Sequence, residues 1–247
     1  MLEYIRAENY SIPIQCGLYP PPPYFYNNIR SLNIGFRCPI DIKRKFIPHE
    51  LKPIGELDNF TIIEYPESTI GPYNEVVVSL SCQYKDKPGT YLVNLYVDSD
   101  IAFAAGREIW GYPKKMAEIK LSVIKDNIIT GSLKRREITL FDTEVELDTK
   151  IIDVNFNKLN EMKTPTYTLK IIPDVADNKA PLIRQLTVNY SNIRSFFRMQ
   201  KIKKINFINF EYSKYDILYD YLNDAERDLG GNYYENCMEL TNGEVVN

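Results

Sequence analysis

Two adjacent lysines, Lys114 and Lys115, follow a turn in the stretch Val97-Asp-Ser-Asp-Ile-Ala-Phe-Ala-Ala-Gly106-Arg-Glu-Ile-Trp-Gly111-Tyr-Pro113-Lys114-Lys115-Met116. The run of small residues reads as a helix that approaches something closely, and Gly111-Tyr112-Pro113 stops it. Pro113 fixes the backbone ahead of Lys114, so that lysine starts from a defined position. Adjacent lysines are most often a solvated face. A lysine held neutral does different work: its amine condenses with a ketone, and the protonated imine accepts electrons without a cofactor. At an ordinary pKa of about 10.4, roughly one lysine in two thousand is neutral at pH 7. Lowering that value to about 6 costs roughly 6 kcal/mol of differential solvation. Burial shifts of about 3–5 units come within reach of it.

Neighbours in an extended strand point to opposite faces, so the two ammonium groups diverge and desolvation is the larger cause expected. Simple alternation puts Lys115 with Ala117, Ile119 and Leu121 on the more apolar face, and Lys114 with Glu118 and Lys120. Pattern alone selects Lys115 as the buried amine. A bulge near Met116, or a sheet covered on both faces, reverses that parity. Glu75 opens a strand that continues Val-Val-Val. It is either an exposed strand-end charge or a carboxylate at the rim of a site.

The elements that must position these groups are mostly β. Residues 75–84 alternate, with Val76, Val78, Leu80 and Cys82 on one face; Lys85–Gly89 supplies turn chemistry, and Thr90–Val97 returns as the second strand of a hairpin. Further strands are expected at 117–124, 128–133, 138–147, 166–172, 183–190 and 203–210, with Asp126-Asn127 as a turn. Helices are expected near 100–109, capped by Asp98 or Ser99, and over roughly 213–227. Residues 1–30 form a stiff N-terminal arm ending in Tyr19-Pro-Pro-Pro-Pro-Tyr24, which packs on its own domain or a subunit neighbour. Residues 230–247 read as a polar C-terminal tail. Many strands and few helices predict a mainly β (α+β) single domain, residues 1–229, on a curled or closed antiparallel barrel-like sheet.

Composition excludes several classes. The chain has 247 residues, 44% hydrophobic and 26% charged, as an ordinary folded protein does. Its 30 Lys+Arg against 33 Asp+Glu leave a net charge of -3 and no electrostatic case for nucleic acid. The one histidine, His49, rules out a multi-histidine metal site, and a Ser-His-Asp triad would have to use it. Cys16, Cys38, Cys82 and Cys237 are scattered with no Cys-x-x-Cys pair, so neither zinc nor a disulfide framework is expected and the thiols read as buried and inert. No secretory signal or apolar run of membrane-spanning length occurs, and a cytoplasmic location is expected.

Gly106-Arg107-Glu108 followed by Gly111-Tyr112-Pro113-Lys114-Lys115 resembles the signature of the acetoacetate decarboxylase family. Asn74-Glu75, Tyr96-Val97-Asp98, Leu169-Lys170-Ile-Ile-Pro173 and Ile217-Leu-Tyr-Asp-Tyr-Leu222 match in order, so the resemblance covers roughly residues 20 to 222. It implies that Lys114 forms a Schiff base with a ketone, that Lys115 is the adjacent cation, and that Glu75 serves acid–base or positioning chemistry. It also implies an arginine holding the substrate carboxylate. Ungapped matching lands on Asn28 or Ile29, and the nearest arginine is Arg30; a family glutamate faces Thr61, with Glu64 nearby. Arg107 and Glu108 pair with each other or brace the turn. The implied activity is cofactor-independent decarboxylation of acetoacetate or a related β-keto acid to CO2 and a ketone, by a homo-oligomer with no metal. Aldol or dehydration chemistry on the same imine, and a non-enzymatic barrel that binds a small apolar ligand, are the alternatives.

Overall fold

The computed structural model of the chain describes Ser11, residues 17–152, Val154 and residues 163–246. Its strands are β1 (Tyr24–Phe36), β2 (Lys52–Pro53), β3 (Asp58–Tyr65), β4 (Glu67–Ser68), β5 (Tyr73–Tyr84), β6 (Lys87–Val97), β7 (Lys114–Met116), β8 (Glu118–Leu121), β9 (Ile128–Arg135), β10 (Ile138–Ile151), β11 (Thr166–Pro173), β12 (Pro181–Asn189), β13 (Asn192–Asn209), β14 (Gly231–Leu240) and β15 (Glu244–Val245). Three short helices accompany them: α1 (Ile40–Phe46), α2 (Asp100–Ala105), which runs on as a π-helical turn over Gly106–Trp110, and α3 (Leu218–Leu222).

The strands form one sheet in the order β15-β12-β11-β6-β5-β3-β1-β14-β13-β10-β9-β8, with β2 on β5, β4 on β1 and β7 on β6. The expectation of a barrel-like antiparallel sheet needs correction on two points. The sheet curls but does not close, and its edges are β15 and β8. It is also mixed, because β7 and β11 each run parallel to β6. A chain that reaches β7 through the α2 crossover arrives in the same direction as β6, which a hairpin turn cannot achieve.

Period-2 alternation sorts the side chains into two cores. Val76, Val78, Leu80 and Cys82 of β5 join Leu32, Ile34, Phe60 and Ile62 in the first, as their spacing predicts. The β8–β9–β10 end of the sheet folds back over this face, where the rings of Phe60 and Phe141 stack at 3.9 Å. The opposite face carries the second core, in which Tyr24, Tyr26, Ile29, Tyr73, Leu95 and Val97 meet Ala102, Ala105 and Trp110 of the α2 segment. Ser99 caps α2, its hydroxyl accepting from the Ala102 N–H at 3.3 Å.

Three boundaries differ from expectation. Residues 24–30, assigned to the arm, open β1; Tyr19 and Tyr24 are buried, with Tyr24 edge-on to Trp110 at 5.5 Å. The helix expected over 213–227 is confined to α3, whose Leu218, Tyr221 and Leu222 are buried. The polar tail expected at 230–247 is instead β14, inserted between β1 and β13, followed by β15. Cys38 and Cys82 are buried free thiols and Cys237 is half-buried; Cys16 lies outside the described residues. Among the described residues no helix is long and apolar enough to cross a membrane.

Candidate active site

Lys114 is 5% exposed, and its Nζ lies 2.7 Å from Oε2 of Glu75, which is 6% exposed. Glu75 sits on β5 with Tyr73, Val77 and Ser79, on the face opposite the Val76–Cys82 stripe. Lys114 reaches it from β7, where it stands beside Leu95 of β6. Gly106, at the start of the π-helical turn, makes room: a Cβ there would lie 2.6 Å from Cε of Lys114. The close approach expected of the small-residue helix is therefore to the lysine side chain itself. Gly111 ends the turn in the left-handed region at φ 71°, and a side chain there would run into β11 at Lys170. Arg107 braces the turn by donating to the Lys114 carbonyl oxygen at 3.1 Å, while Glu108 accepts from Ser11 and Tyr19.

Lys115 goes the other way. Its Nζ lies 3.0 Å from Oδ2 of buried Asp216, which also accepts from Tyr96 at 2.5 Å and Asn94 at 3.3 Å. The two ammonium groups thus diverge, as extended geometry dictates. The parity itself holds: Ala117, Ile119 and Leu121 pack on the first core, the face on which Lys115 lies beside Tyr96. The pattern misjudges the other face, because the sheet is covered on both sides here: the α2 segment buries Lys114, while Glu118 and Lys120 further along are exposed.

The Lys114–Glu75 pair opens into a cavity of about 630 Å³. Among its described lining residues, these two are the only charged side chains. Tyr73 and Tyr112 flank the amine, with ring centroids 5.6 and 5.8 Å from Nζ. Burial pushes the phenols of Tyr26, Tyr65, Tyr73 and Tyr112 well above the ordinary tyrosine value, and the charge of Glu75 adds to the effect. They stay neutral hydrogen-bonding groups around the ion pair. Tyr112 is oriented by the Asn189 side-chain amide, which donates to its hydroxyl at 3.1 Å.

Arg30 is not part of this cavity, a correction to the expected carboxylate clamp. A bulge between Tyr26 and Ile29, with Asn28 at φ 53°, sends both of those side chains to the cavity face. Arg30 therefore points to the other face, where it pairs with Glu64 and donates to the Ser122 carbonyl oxygen at 2.5 Å. Ile29 and Thr61 line the cavity instead. Sequence reasoning did not single out Tyr26, Tyr65, Tyr73, Tyr112, Ser31 or Asn236. The usable signal was the two-residue spacing of Tyr73 from Glu75, which puts both on one face.

Comparison with known proteins bears on the family and the fold. The family model of acetoacetate decarboxylase (ADC) matches residues 11–247. Acetoacetate decarboxylase 1 of Bradyrhizobium diazoefficiens is 30% identical over 175 residues, covering 70% of this chain and 69% of its own length. The solved structure of acetoacetate decarboxylase from Legionella pneumophila superposes with a TM-score of 0.87 at 24% identity, covering 100% of this chain and 96% of that one. The fold is shared more widely: the enduracididine biosynthesis enzyme MppR, solved in complex with pyruvate, gives a TM-score of 0.76 at 15% identity over 96% of each chain. The chain belongs to the acetoacetate decarboxylase family of carboxy-lyases.

Proposed function

We propose that this protein decarboxylates acetoacetate or a related β-keto acid through a Schiff base on Lys114. The observation that carries the reading is the buried amine of Lys114, 2.7 Å from Glu75 in a cavity with no other charged side chain among its described lining residues. Glu75 takes the ammonium proton, and the free amine attacks the ketone carbon. The same carboxyl group returns that proton to the alkoxide, then carries a second proton from the carbinolamine nitrogen to the hydroxyl, which leaves as water to give the iminium. The iminium then draws in the electron pair of the carbon–carboxylate bond as CO2 departs. Protonation of the resulting enamine carbon, followed by hydrolysis, releases the ketone and restores the lysine.

Among the described lining residues Lys114 is the only cation, and the scarcity of cations for the substrate carboxylate favours that bond cleavage. A carboxylate held away from water and from any arginine is poorly stabilised, whereas the neutral CO2 that replaces it is not penalised. A second reading keeps the imine but protonates or condenses the enamine of a keto acid, giving aldol or dehydration chemistry. It is motivated by the fold likeness to MppR, solved in complex with pyruvate.

Incubation with acetoacetate under borohydride, with CO2 measured in parallel and the adduct mapped by mass spectrometry, separates these readings. Adduct on Lys114 together with CO2 is the expected result. Adduct without CO2 selects the aldol-type reading, and no adduct overturns both.

A further inference from the structure

The strand registers lay the cavity floor out as rows across the sheet. The row that begins at Glu75 continues through Ile63, Ser31, Tyr234 and Met199, on β5, β3, β1, β14 and β13 in turn. The next row begins at Tyr73; on β1, β14 and β13 it is Ile29, Asn236 and Phe196. All of these residues line the cavity. Four interstrand steps separate Glu75 from Met199, about 19 Å along the curled surface. A four-carbon keto acid reaches only about 5 Å, with bonds near 1.5 Å. Its ketone carbon must touch Lys114, so it would leave most of the floor uncovered. A volume of about 630 Å³ is instead within the range of cavities that enclose drug-sized ligands.

The far end has a definite chemistry. Met199, Phe196, Ile193 and Met238 make it apolar, and the rings of Phe196 and Tyr234 stack beside it at 6.0 Å and 22°. No charged side chain lines the cavity beyond Lys114 and Glu75 among the described residues, so nothing there matches a tail that carries a phosphate or a second carboxylate. Ser31 and Asn236 lie midway, with the neutral phenol of Tyr234 between β1 and β13.

We propose that the preferred substrate is a medium-chain 3-oxo acid, its ketone at Lys114 and its uncharged alkyl tail laid along the Ile63–Ser31–Tyr234 row to the Met199–Phe196 end. This rests on the Schiff-base reading above. The bonds made and broken are the same as for acetoacetate, and the product is a longer methyl ketone and CO2. Each methylene that the floor buries is worth about 0.8 kcal/mol, which is about fourfold in kcat/KM.

The test is competition. The whole protein is given equimolar acetoacetate and 3-oxodecanoate, reduced with borohydride, and the two adduct masses on Lys114 are compared. At least a tenfold excess of the longer adduct is expected, with kcat/KM for CO2 release rising from 3-oxobutanoate to 3-oxooctanoate. Met199→Trp, which fills the far end, should cut that excess tenfold or more. Equal labelling, or an excess from acetoacetate, overturns the chain-length inference while leaving the Schiff-base reading intact. No adduct from either acid overturns the Schiff-base reading and this inference with it. An excess that Met199→Trp leaves untouched overturns the placement of the tail.

Discussion

Gly106 stands against the side chain of Lys114 so closely that a Cβ would lie 2.6 Å from Cε and 2.7 Å from Cδ. The side chain that could yield is the flexible end of the lysine, so substitution moves the amine rather than the backbone. Gly106→Ala is expected to lower kcat about 100-fold, the scale of a displacement of about 1 Å in a reacting group. Steady-state kinetics with borohydride trapping measures it. A melting temperature within a few degrees of the parent would separate misplacement from unfolding.

Lys114→Ala should abolish borohydride trapping and activity, because no other described amine lines the cavity. Lys115→Ala should retain trapping. Its cost is in stability, about 1–3 kcal/mol, since it strips one partner from the buried Asp216 carboxylate. Denaturant titration beside adduct mapping tests both halves. Labelling that survives at residue 115 in Lys114→Ala would reverse the assignment.

Glu75→Gln keeps the shape of the side chain but cannot carry a proton between amine and carbinolamine. A fall in kcat of about 10²–10⁴-fold is expected, with Schiff-base formation slowed as well. Single-turnover trapping against time reads the imine step directly. An unchanged trapping rate would assign Glu75 to positioning alone.

Burial pushes the thiols of Cys38 and Cys82 up, to about 11 and about 12. At pH 8 iodoacetamide should therefore modify Cys237 well before either of them, as peptide mapping would report. The sign for stability follows. Both groups hold their proton more tightly when folded, so their contribution is full below the ordinary thiol value of 9.0 and is lost as pH climbs through about 11 and about 12. Urea midpoints between pH 8 and 11 should decline accordingly.

Much of the site's scaffold is legible in residue order because β alternation is strict where both faces are buried. Val76, Val78, Leu80 and Cys82 define one face of β5, which leaves Glu75 on the other. The failures have local causes. Lys115 does share the apolar face with Ala117, Ile119 and Leu121, but the α2 segment covers the face of Lys114 as well, and residue order in β7 does not show that cover. The bulge at Asn28 misleads the reading of Arg30, since one extra residue exchanges the faces of everything before it. Residues 231–240 read as a solvated tail because Asn232, Tyr234 and Asn236 are polar; they face the cavity instead. Polar side chains on a cavity wall and on a surface look alike in sequence, and only tertiary pairing tells them apart.

The placement of β14 has a consequence for folding. Residues 231–240 lie between β1 and β13 near the middle of the sheet. β13 is their neighbour in sequence, but about 200 residues separate them from β1, so that pairing carries the entropy of closing a long loop. Until it forms, two edges face one another across a gap and the pocket wants part of its base.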